Sequence, residues 1–498
     1  MKATEKNELI KTMNTTLKTI GDLKKAKYIS KSIKTELRDN LIVALQAGKK
    51  TFEGMHGYEQ TVIPQLERAI LSKHNINLLG LRGQGKTRIA RLMIQLLDEY
   101  IPIVAGSEIN DDPFAPISRY AKDIVREKGD ATPIEWLHRD DRFFEKLATP
   151  DVTIADLIGD IDPIKAANLK LSYADDRVLH FGMIPRANRC LFVINELPDL
   201  QARIQVALFN ILEEGDIQIR GFKLRMSLDV QFVFTANPED YTNRGSIVTP
   251  LKDRIGSQIL THYAFDLPTA KRITKQETEK SDSRAIEVYV PELAKDLLEQ
   301  IAFEARVSEF VDPKSGVSAR MSITGYENLI STAERRALLN AETQTSVRFI
   351  DLMGMIPSIT GKVELVYEGE QEGSDFVANH LISEATKTLF LMYFPKIEKL
   401  KKPNQTTVYD AVVDWFIQAD NIELSDEATN KDYQKVLSTL KPLDELLRIY
   451  QPKLAKEDVN FLKEFILWAL VELKQLSKKR TENGILFNDA FDSYIKSM

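Results

Sequence analysis

The segment from Gly80 to Thr87 carries the residues whose types and spacing most clearly predict chemistry. It reads GLRGQGKT, with glycines at positions 80, 83 and 85 ahead of Lys86 and Thr87. Glycines let successive backbone N–H groups curl around phosphate oxygens, and a helix that starts directly afterwards points its positive end at the same charge. A lysine here reaches the β- and γ-phosphates, and a threonine hydroxyl binds Mg²⁺. The segment therefore predicts a loop that binds a nucleoside triphosphate.

Two further groups of polar residues follow apolar runs, and each is predicted to end a buried strand. Residues 190–196 read CLFVINE, so Asn195 and Glu196 follow five apolar residues, and residues 230–237 read VQFVFTAN, ending at Asn237. Polar side chains at the carboxyl ends of parallel strands line the crevice where such sheets bind ligands. Glu196 is placed to polarise the water that attacks the γ-phosphate, and Asn237 to hold that water or a phosphate oxygen. The alternatives are a surface glutamate that starts a loop and an asparagine that forms a turn.

Hydrophobic periodicity predicts the elements that position these residues. Strands are predicted over residues 76–79, 101–105, 190–196 and 230–235, and helices over residues 5–50, 62–71, 88–100 and 200–214. We expect a turn near the adenine over residues 54–59, an irregular insertion over residues 106–151 and a hairpin over residues 216–229. The hairpin carries Arg220, Lys223 and Arg225, which are either solvated strand residues or residues that line a pore or meet a partner.

The later part of the chain is predicted to be mostly helical, without a motif of catalytic spacing after residue 346. The predicted helices cover residues 269–280, 291–307, 318–339, 376–400, 406–420 and 431–497, and a short strand covers residues 362–369. The predicted domains are an N-terminal helical segment (1–50), an α/β nucleotide-binding domain (51–267), a helical lid (268–345) and a mostly helical interaction domain (346–498).

Composition limits the class of protein. The 498 residues carry a net charge of −6, so no overall positive field favours nucleic acid or an anionic membrane. Residues 1–50 hold 12 Lys and Arg against 5 Asp and Glu, and form either the solvated face of a helix or an arm for an acidic partner. The single cysteine, Cys190, excludes an internal disulfide and a cysteine metal cluster. No signal segment and no run long enough to span a membrane is recognised, so we expect a cytoplasmic protein.

Together these motifs resemble those of AAA+ ATPases and, within them, the branch that holds MoxR-type ATPases and the ATPase subunit of magnesium chelatase. The resemblance covers residues 54–340 and rests on the ordered series GLRGQGKT, DLIGDIDP, PRANRCLFVINEL, FTANPEDYTNRG, LKDRIG and SAR. It implies a P-loop AAA+ domain, with a parallel sheet flanked by helices, followed by a helical lid.

The resemblance implies that ATP and Mg²⁺ bind at the glycine-rich loop. Glu196 would be the catalytic base and Asn237 the first sensor of the bound nucleotide. Thr87 and Asn195 are expected at the metal ion. The residues expected to contact ATP are Gly80, Gly83, Gln84, Gly85, Lys86, Thr87 and Arg88.

Two arginines complete the catalytic set that the resemblance implies. Arg254 lies where such proteins carry an arginine finger, which acts on the nucleotide of the adjacent subunit. Arg320 lies where the second sensor reaches back from the lid. An arginine supplied across an interface stabilises charge on the transferring phosphoryl group. Activity then depends on assembly, so we expect a homo-oligomeric ring of six subunits.

Asn195 departs from the family pattern, in which this position of the strand is aspartate. Asparagine keeps an acceptor oxygen but loses the negative charge, so we expect weaker Mg²⁺ binding and slow hydrolysis. Cys190 also stands where a small residue, often glycine, is usual in this branch. We interpret it as a core residue rather than a nucleophile, since the sequence suggests no histidine partner nearby.

The leading hypothesis is an ATP-driven ring that remodels or activates a protein partner in a chaperone-like manner. In the branch that the sequence resembles, the partner commonly carries a von Willebrand factor A domain. A narrower form is the insertion of Mg²⁺ into a porphyrin, for which the chelating chemistry would lie in other subunits. A second class is a nucleotide-gated assembly scaffold with little or no ATP turnover, motivated by Asn195. A nucleic-acid motor or transcription activator is disfavoured by the acidic net charge and the lack of a helix-turn-helix pattern.

Overall fold

Five segments of the first half of the chain form one parallel sheet. They are β1 (Ile76–Leu79), β2 (Phe143–Leu147), β3 (Cys190–Asn195), β4 (Val230–Ala236) and β5 (Ser257–Leu260). The strands lie in the order β5-β1-β4-β3-β2, and every neighbouring pair is parallel. The central strands β1, β4 and β3 are buried along their whole length, which is why they read as mostly apolar runs.

Helices cover both faces of this sheet, because successive side chains of a strand point to opposite faces. Val193 of β3 packs in a core with the helices Val62–Leu71 and Lys86–Leu92. The next residue, Ile194, packs in a second core with the helix Ala202–Ala207. The predicted class, a parallel α/β sheet flanked by helices, is confirmed.

The computed structural model describes residues 16–171, 175–218, 225–238, 246–279, 284–397, 407–418 and 421–490. The chain divides into two compact units, Met1–His262 and Tyr263–Met498, and the parallel sheet belongs to the first. None of the helices within the described ranges combines the length and apolar content needed to cross a membrane.

The other elements of the first unit surround the sheet. Its α-helices are Ile20–Lys25, Ile33–Gln46, Val62–Leu71, Lys86–Leu92, Arg119–Lys128, Ile154–Leu157, Pro163–Leu169, Met183–Arg186, Ala202–Ala207, Phe209–Glu214 and Thr249–Arg254. Its 3₁₀ helices are Met93–Leu96, Gly129–Ala131, Arg139–Arg142, Asp176–Val178 and Leu197–Asp199. Antiparallel pairs outside the sheet are Tyr100–Val104 with Ile134–His138, Gly159–Ile161 with Leu179–Phe181, and Asp216–Gln218 with Arg225–Ser227.

A buried ion pair fixes the edge of the sheet where β2 begins. Arg142, which directly precedes β2, donates from Nη1 and Nη2 to the two carboxylate oxygens of Glu36, both at 2.7 Å. Its Nε also donates to the carbonyl oxygen of Arg189 at 3.0 Å. A buried charge is costly unless it is paired and its hydrogen bonds are satisfied, and this two-pronged geometry satisfies both partners. The pair therefore ties the helix Ile33–Gln46 to the outermost strand.

The second unit has one continuous apolar core, which runs from Val290 to Phe487. Its α-helices are Leu267–Thr278, Glu292–Val307, Arg320–Leu339, Ile356–Thr360, Tyr367–Glu372, Ser374–Tyr393, Asp410–Gln418, Asn430–Ser438, Lys441–Tyr450 and Val459–Glu472, and its 3₁₀ helices are Phe349–Met355 and Lys456–Asp458. Glu287–Tyr289 pairs with Gln344–Ser346, and Ile422–Ser425, Gly484–Asp489 and Leu476–Arg480 form a three-stranded antiparallel sheet.

Several predicted elements need correction. Residues 106–151 are not irregular, because they contain β2 and a helix, and the strand at 101–105 pairs outside the main sheet. The helix after the loop ends at Leu96 rather than residue 100, and the helix predicted over 200–214 is two shorter helices. The strand predicted over 362–369 is wrong, since a helix begins at Tyr367. The helix predicted over 431–497 gives way to two strands after Glu472.

The remaining predictions have a simpler outcome. The hairpin over residues 216–229 is confirmed by the antiparallel pair Asp216–Gln218 and Arg225–Ser227. Arg220 and Lys223 lie outside the described residues. The division into nucleotide-binding domain, lid and C-terminal domain stays a prediction.

Candidate active site: a glycine-rich loop beside three strand ends

The glycine-rich loop joins β1 to the helix Lys86–Leu92. Gly83 and Gly85 both have a φ of 74°, in the left-handed region that residues with a side chain seldom adopt. The helix continues as a 3₁₀ helix to Leu96, so the loop ends at the positive end of an eleven-residue helical stretch. The backbone path therefore depends on these glycines and directs N–H groups toward a negative ligand.

Lys86 opens this helix, and its side chain folds back into the loop. It is 8% exposed, and its Nζ donates to the carbonyl oxygens of Gly80 and Leu81, the latter at 3.1 Å. A buried ammonium group needs acceptors, and charged phosphate oxygens are stronger acceptors than carbonyl oxygens. Thr87 and Arg88 follow on the first turn, both half-buried. The donors of the loop therefore fit a phosphate group.

Residues outside the loop hold it in place. The Tyr58 hydroxyl oxygen lies 2.8 Å from the carbonyl oxygens of both Gln84 and His262 and shares its single proton between them. The Gln84 side-chain oxygen accepts from Thr261 Oγ1 at 2.6 Å. A Cβ on Gly80 would overlap the side chains of Thr261 and Gln84, so only glycine fits there. The turn predicted over residues 54–59 thus supplies Tyr58 as a direct support of the loop.

The carboxyl ends of β1, β4 and β3 lie at one edge of the sheet, where Glu196 directly follows β3 and Asn237 directly follows β4. The N–H of Gly80 donates to the carbonyl oxygen of Ala236 at 3.1 Å, which puts the start of the loop beside the residue before Asn237. Glu196 follows β3 with φ 54° and ψ 51°, and its N–H donates to Thr235 Oγ1 at 3.2 Å. The structure therefore brings the loop, Glu196 and Asn237 to one edge of the sheet.

Asn195 ends β3 on the sheet face that carries the helix Lys86–Leu92. Its Nδ2 donates to Glu145 Oε1 at 2.6 Å, and its Oδ1 accepts from Thr235 Oγ1 at 3.1 Å. Glu145 in turn pairs with Arg91 of that helix, with Nη2 and Oε2 2.7 Å apart. Thr87 precedes Arg91 by one helical turn and so shares its face of the helix. The predicted metal residues Thr87 and Asn195 therefore belong to facing surfaces.

The donor set suits a metal ion that arrives with a nucleotide. Among the residues that the structure describes, no group of three or more His, Cys, Asp or Glu side chains forms a self-sufficient metal site. Mg²⁺ at a nucleotide takes most ligands from phosphate and water and needs only one or two protein oxygens. The Thr87 hydroxyl and Asn195 Oδ1 are oxygens of that kind.

Arg254 is not brought to this loop within the first unit. The Arg254 guanidinium pairs with Glu213, with Nη2 and Oε2 2.6 Å apart, and lies 5.1 Å from the centre of the Phe209 ring. Phe209 packs on the sheet face opposite the helix that carries Lys86. Arg320 is exposed at the first residue of the helix Arg320–Leu339 in the second unit.

Three supporting residues were not predicted from the sequence. Thr235 had a usable signal, since it stands two residues before Asn237 at the end of an apolar run. Glu145 and Thr261 had none, because their roles depend on which strands are neighbours.

Cys190 is a core residue as predicted, since burial raises the pKa of its thiol to about 12 and keeps it protonated.

Comparisons with known proteins give only distant similarities. No family model and no curated protein matches the sequence. Among solved structures, NtrX of Brucella abortus in complex with ATP is 14% identical over 59% of this chain and 56% of its own, with a TM-score of 0.34. A RuvB variant of Thermotoga maritima is 11% identical over 93% of both chains, with a TM-score of 0.31. Hsp104 with ATPγS and casein is 12% identical over 62% of this chain and 50% of its own, with a TM-score of 0.36.

The similarities are partial as well as distant. The chain spans about half the length of the first NtrX structures that it matches, 48% and 45%. All of these TM-scores are below 0.5.

Proposed function

We propose that this chain is an AAA+ ATPase that binds ATP with Mg²⁺ at the glycine-rich loop and hydrolyses it within a homo-oligomeric ring. One observation carries the proposal: the start of the loop is hydrogen-bonded to the end of β4, next to Asn237, and Glu196 follows the neighbouring strand β3. A γ-phosphate held by the loop would then face an amide and a carboxylate at the same edge of the sheet.

Binding is the task of the loop and of the first helical turn. The backbone N–H groups from Gly83 to Thr87 surround the phosphates, and Lys86 exchanges its carbonyl partners for β- and γ-phosphate oxygens. Gln84 acts through its backbone, since its side chain is bonded to Thr261. Thr87 and Asn195 would hold Mg²⁺, which neutralises charge on the phosphates when it is bound.

Hydrolysis is the task of the strand ends. Glu196 orients the attacking water and accepts its proton, and Asn237 holds the water or a γ-phosphate oxygen. Positioned proton transfer of this kind contributes about 10²–10⁴ in rate. The left-handed backbone of Glu196 is uncommon for a residue with a side chain, and its hydrogen bond to Thr235 supports it.

Arg254 of a neighbouring subunit supplies a positive charge at the γ-phosphate. Its guanidinium is half-buried and is held by Glu213, whose side chain is 58% exposed, so the pair is accessible at the surface of the first unit. In a ring of six copies, Arg254 would leave Glu213 for the γ-phosphate of the adjacent site. Arg320 would act as the second sensor from the second unit.

The finer proposal is that the ring remodels or activates a protein partner in the MoxR-like manner. It rests on the motif series of the first unit and on a second unit whose described part carries no motif of catalytic spacing. A partner with a von Willebrand factor A domain is the first to test, by pull-down in the presence of ATP and of ADP.

A second candidate is a nucleotide-gated scaffold with little turnover. Asn195 favours it, because the amide does not add negative charge at the metal ion. Such a protein would assemble when ATP binds and release almost no phosphate.

The test is phosphate release as a function of protein concentration, with Mg²⁺ and ATP, for the wild type, Lys86→Ala and Arg254→Ala. We expect a specific activity that rises with concentration and falls by about 10² or more in both variants. Mixing the two variants should restore activity, because the intact loop of one meets the Arg254 of the other. Lys252→Ala, an exposed charge on the same helix as Arg254, should leave activity unchanged.

The outcomes separate the two functions. Turnover that survives Lys86→Ala would contradict ATP hydrolysis at this loop. ATP-driven assembly without phosphate release in the wild type would favour the scaffold.

A further inference from the structure

A chain of hydrogen bonds crosses β2, β3 and β4 at the edge of the sheet where Glu196 and Asn237 lie. We call this edge the hydrolytic edge. Glu145 of β2 accepts from Asn195 Nδ2 at 2.6 Å, and Asn195 Oδ1 accepts from Thr235 Oγ1 at 3.1 Å. Thr235 Oγ1 in turn accepts from the backbone N–H of Glu196 at 3.2 Å. This chain of hydrogen bonds therefore runs from the carboxylate of Glu145 on the outermost strand, β2, to the backbone N–H of Glu196, the proposed base.

Glu145 sets the direction of this chain. An ionised carboxylate only accepts hydrogen bonds, so the group of Asn195 that faces it must be the amide N–H₂. The amide oxygen must then face Thr235, whose hydroxyl donates its single proton to that oxygen. The lone pairs of Thr235 Oγ1 are left for the Glu196 N–H. Each bond follows from the one before it, and the first depends on the carboxylate.

Glu145 also accounts for the asparagine at position 195. Phe143 and Val193 belong to the core on the loop-bearing face, and Glu145 and Asn195 follow two residues later on the same face. Asn195→Asp would set two carboxyl groups about 2.6 Å apart and would remove the amide N–H₂ that donates to Glu145. The negative charge therefore lies on Glu145 of β2, the strand next to β3. The Glu145 side chain is 25% exposed and pairs with Arg91, which is more exposed.

We propose that Glu145 is a positioning residue of the hydrolytic site: it fixes the Asn195 amide and the Glu196 backbone, and it supplies the negative charge that Asn195 lacks. The proposal rests on the proposed function, because it concerns the same Mg²⁺–ATP site. It makes Glu145 and Asn195 a matched pair, so that neither can be changed alone without loss.

The test is a double-mutant cycle on the full chain with Glu145→Gln, Asn195→Asp and the double variant. The affinity for a fluorescent ATP analogue is measured as a function of Mg²⁺ concentration. The readout is the Mg²⁺ concentration at which half of the increase in affinity is reached, and this measurement does not require turnover. Glu145→Gln keeps an acceptor oxygen for the amide and removes only the charge. The double variant exchanges the carboxylate and the amide between the two strands and keeps the hydrogen bond.

We expect Glu145→Gln to raise this Mg²⁺ concentration about tenfold. This is the lower end of the loss of metal affinity that follows when a residue hydrogen-bonded to a metal ligand is changed. Asn195→Asp should lower it in the Glu145→Gln background and raise it in the wild type, and the Mg²⁺ concentration for the double variant should be no higher than that for the wild type. Arg91→Gln removes the cation beside Glu145 and should lower the concentration. Glu135→Gln, an exposed glutamate of the same unit, should change nothing.

A separate measurement tests the positioning role. Glu145→Leu loses the acceptor as well as the charge, so kcat should fall further than in Glu145→Gln while KM for ATP at saturating Mg²⁺ stays the same. Thermal unfolding of each variant shows whether the protein is folded.

The inference and the proposed function fail in different ways. If the wild type does not bind the nucleotide, or binds it as Lys86→Ala does, the proposed function is wrong. If binding depends on Mg²⁺ and on Lys86 but Glu145→Gln matches the wild type, only the inference is overturned. Equal effects of Asn195→Asp in both backgrounds would also overturn it.

Discussion

Two clusters of charged residues use similar side chains in opposite surroundings. In the first unit, Glu145 contacts both Asn195 and Arg91 at the edge of the sheet, and the side chains of Glu145 and Arg91 are 25% and 63% exposed. In the second unit, Arg336 pairs with Asp351, and these side chains are 3% and 2% exposed.

The enclosed cluster is larger and contains several further hydrogen bonds. Glu464 accepts from the Tyr433 hydroxyl at 2.6 Å and from the N–H groups of Phe349 and Ile350 at 2.9 and 3.0 Å. The Arg348 guanidinium lies over the Tyr433 ring, 4.1 Å from its centre. Buried charges that are fully enclosed hold elements together, whereas charges at an open edge can meet a ligand. Changes to the enclosed cluster should therefore alter stability, and changes at the edge should alter chemistry.

The largest expected effect is on stability, in the enclosed cluster. Arg336→Ala leaves the buried Asp351 without its cation, which costs about 3–5 kcal/mol of unfolding free energy. The matched control is Arg335→Ala, because Arg335 and its partner Glu427 are 68% and 59% exposed and such pairs contribute about 0–1 kcal/mol. Denaturant unfolding followed by the fluorescence of the buried Trp468 measures both. Equal losses in the two variants would contradict the distinction.

The next effect is on chemistry, at the open edge. Glu196→Gln should lower ATP turnover about 10²–10³-fold, because the amide cannot accept the proton of the attacking water. Nucleotide affinity and the midpoint of denaturant unfolding should stay those of the wild type. A variant that loses stability as well as turnover would place Glu196 with the structural charges instead.

The third effect is a pH dependence that belongs to the enclosed cluster. Burial raises the pKa of Glu464 to about 7, from an ordinary value of 4.5. The folded protein then keeps a proton that the unfolded chain releases, so the unfolding free energy falls as pH rises from about 4.5 to about 7, by roughly 2–3 kcal/mol.

Unfolding curves at pH 5 and pH 8 measure this dependence. Glu464→Gln cannot titrate and should reduce the difference between the two pH values by that amount. An unchanged difference would show that Glu464 does not titrate in this range.

The smallest effect concerns Arg254 and Glu213, a pair that stands between the two extremes. Their side chains are 28% and 58% exposed, so the pair is worth about 0–1 kcal/mol. Glu213→Gln should free Arg254 for a neighbouring site and raise turnover about two- to fivefold at protein concentrations below saturation. A fall in turnover would indicate that Glu213 positions Arg254 rather than competing for it.

The sequence predicted the parts of the site that are continuous in the chain. The loop from Gly80 to Thr87, β1 and β3 are local patterns, and the strands were recognisable because buried parallel strands are mostly apolar. β2 was missed because it is an edge strand, FFEKL, whose half-buried side chains interrupt the apolar run. The strand Leu476–Arg480 was missed for a similar reason, since three of its five residues are charged.

The hydrolytic edge was predicted only in part. Asn195, Glu196 and Asn237 end apolar runs and can be found by pattern. Glu145 cannot, because its partner Asn195 lies fifty residues away, and their contact depends on β2 and β3 being neighbours. The loss of charge expected from Asn195 was judged from that position alone, whereas the structure shows a carboxylate in contact with it.

The close approach at Gly80 has a consequence for variation among related chains. Gly80, Gln84 and Thr261 fill one small volume, although 181 positions separate the first from the last. A relative with alanine at position 80 would need a smaller residue at position 261, and such a residue would leave the Gln84 side chain without its donor. These three positions are therefore expected to covary, and an alignment of relatives would show them changing as a set.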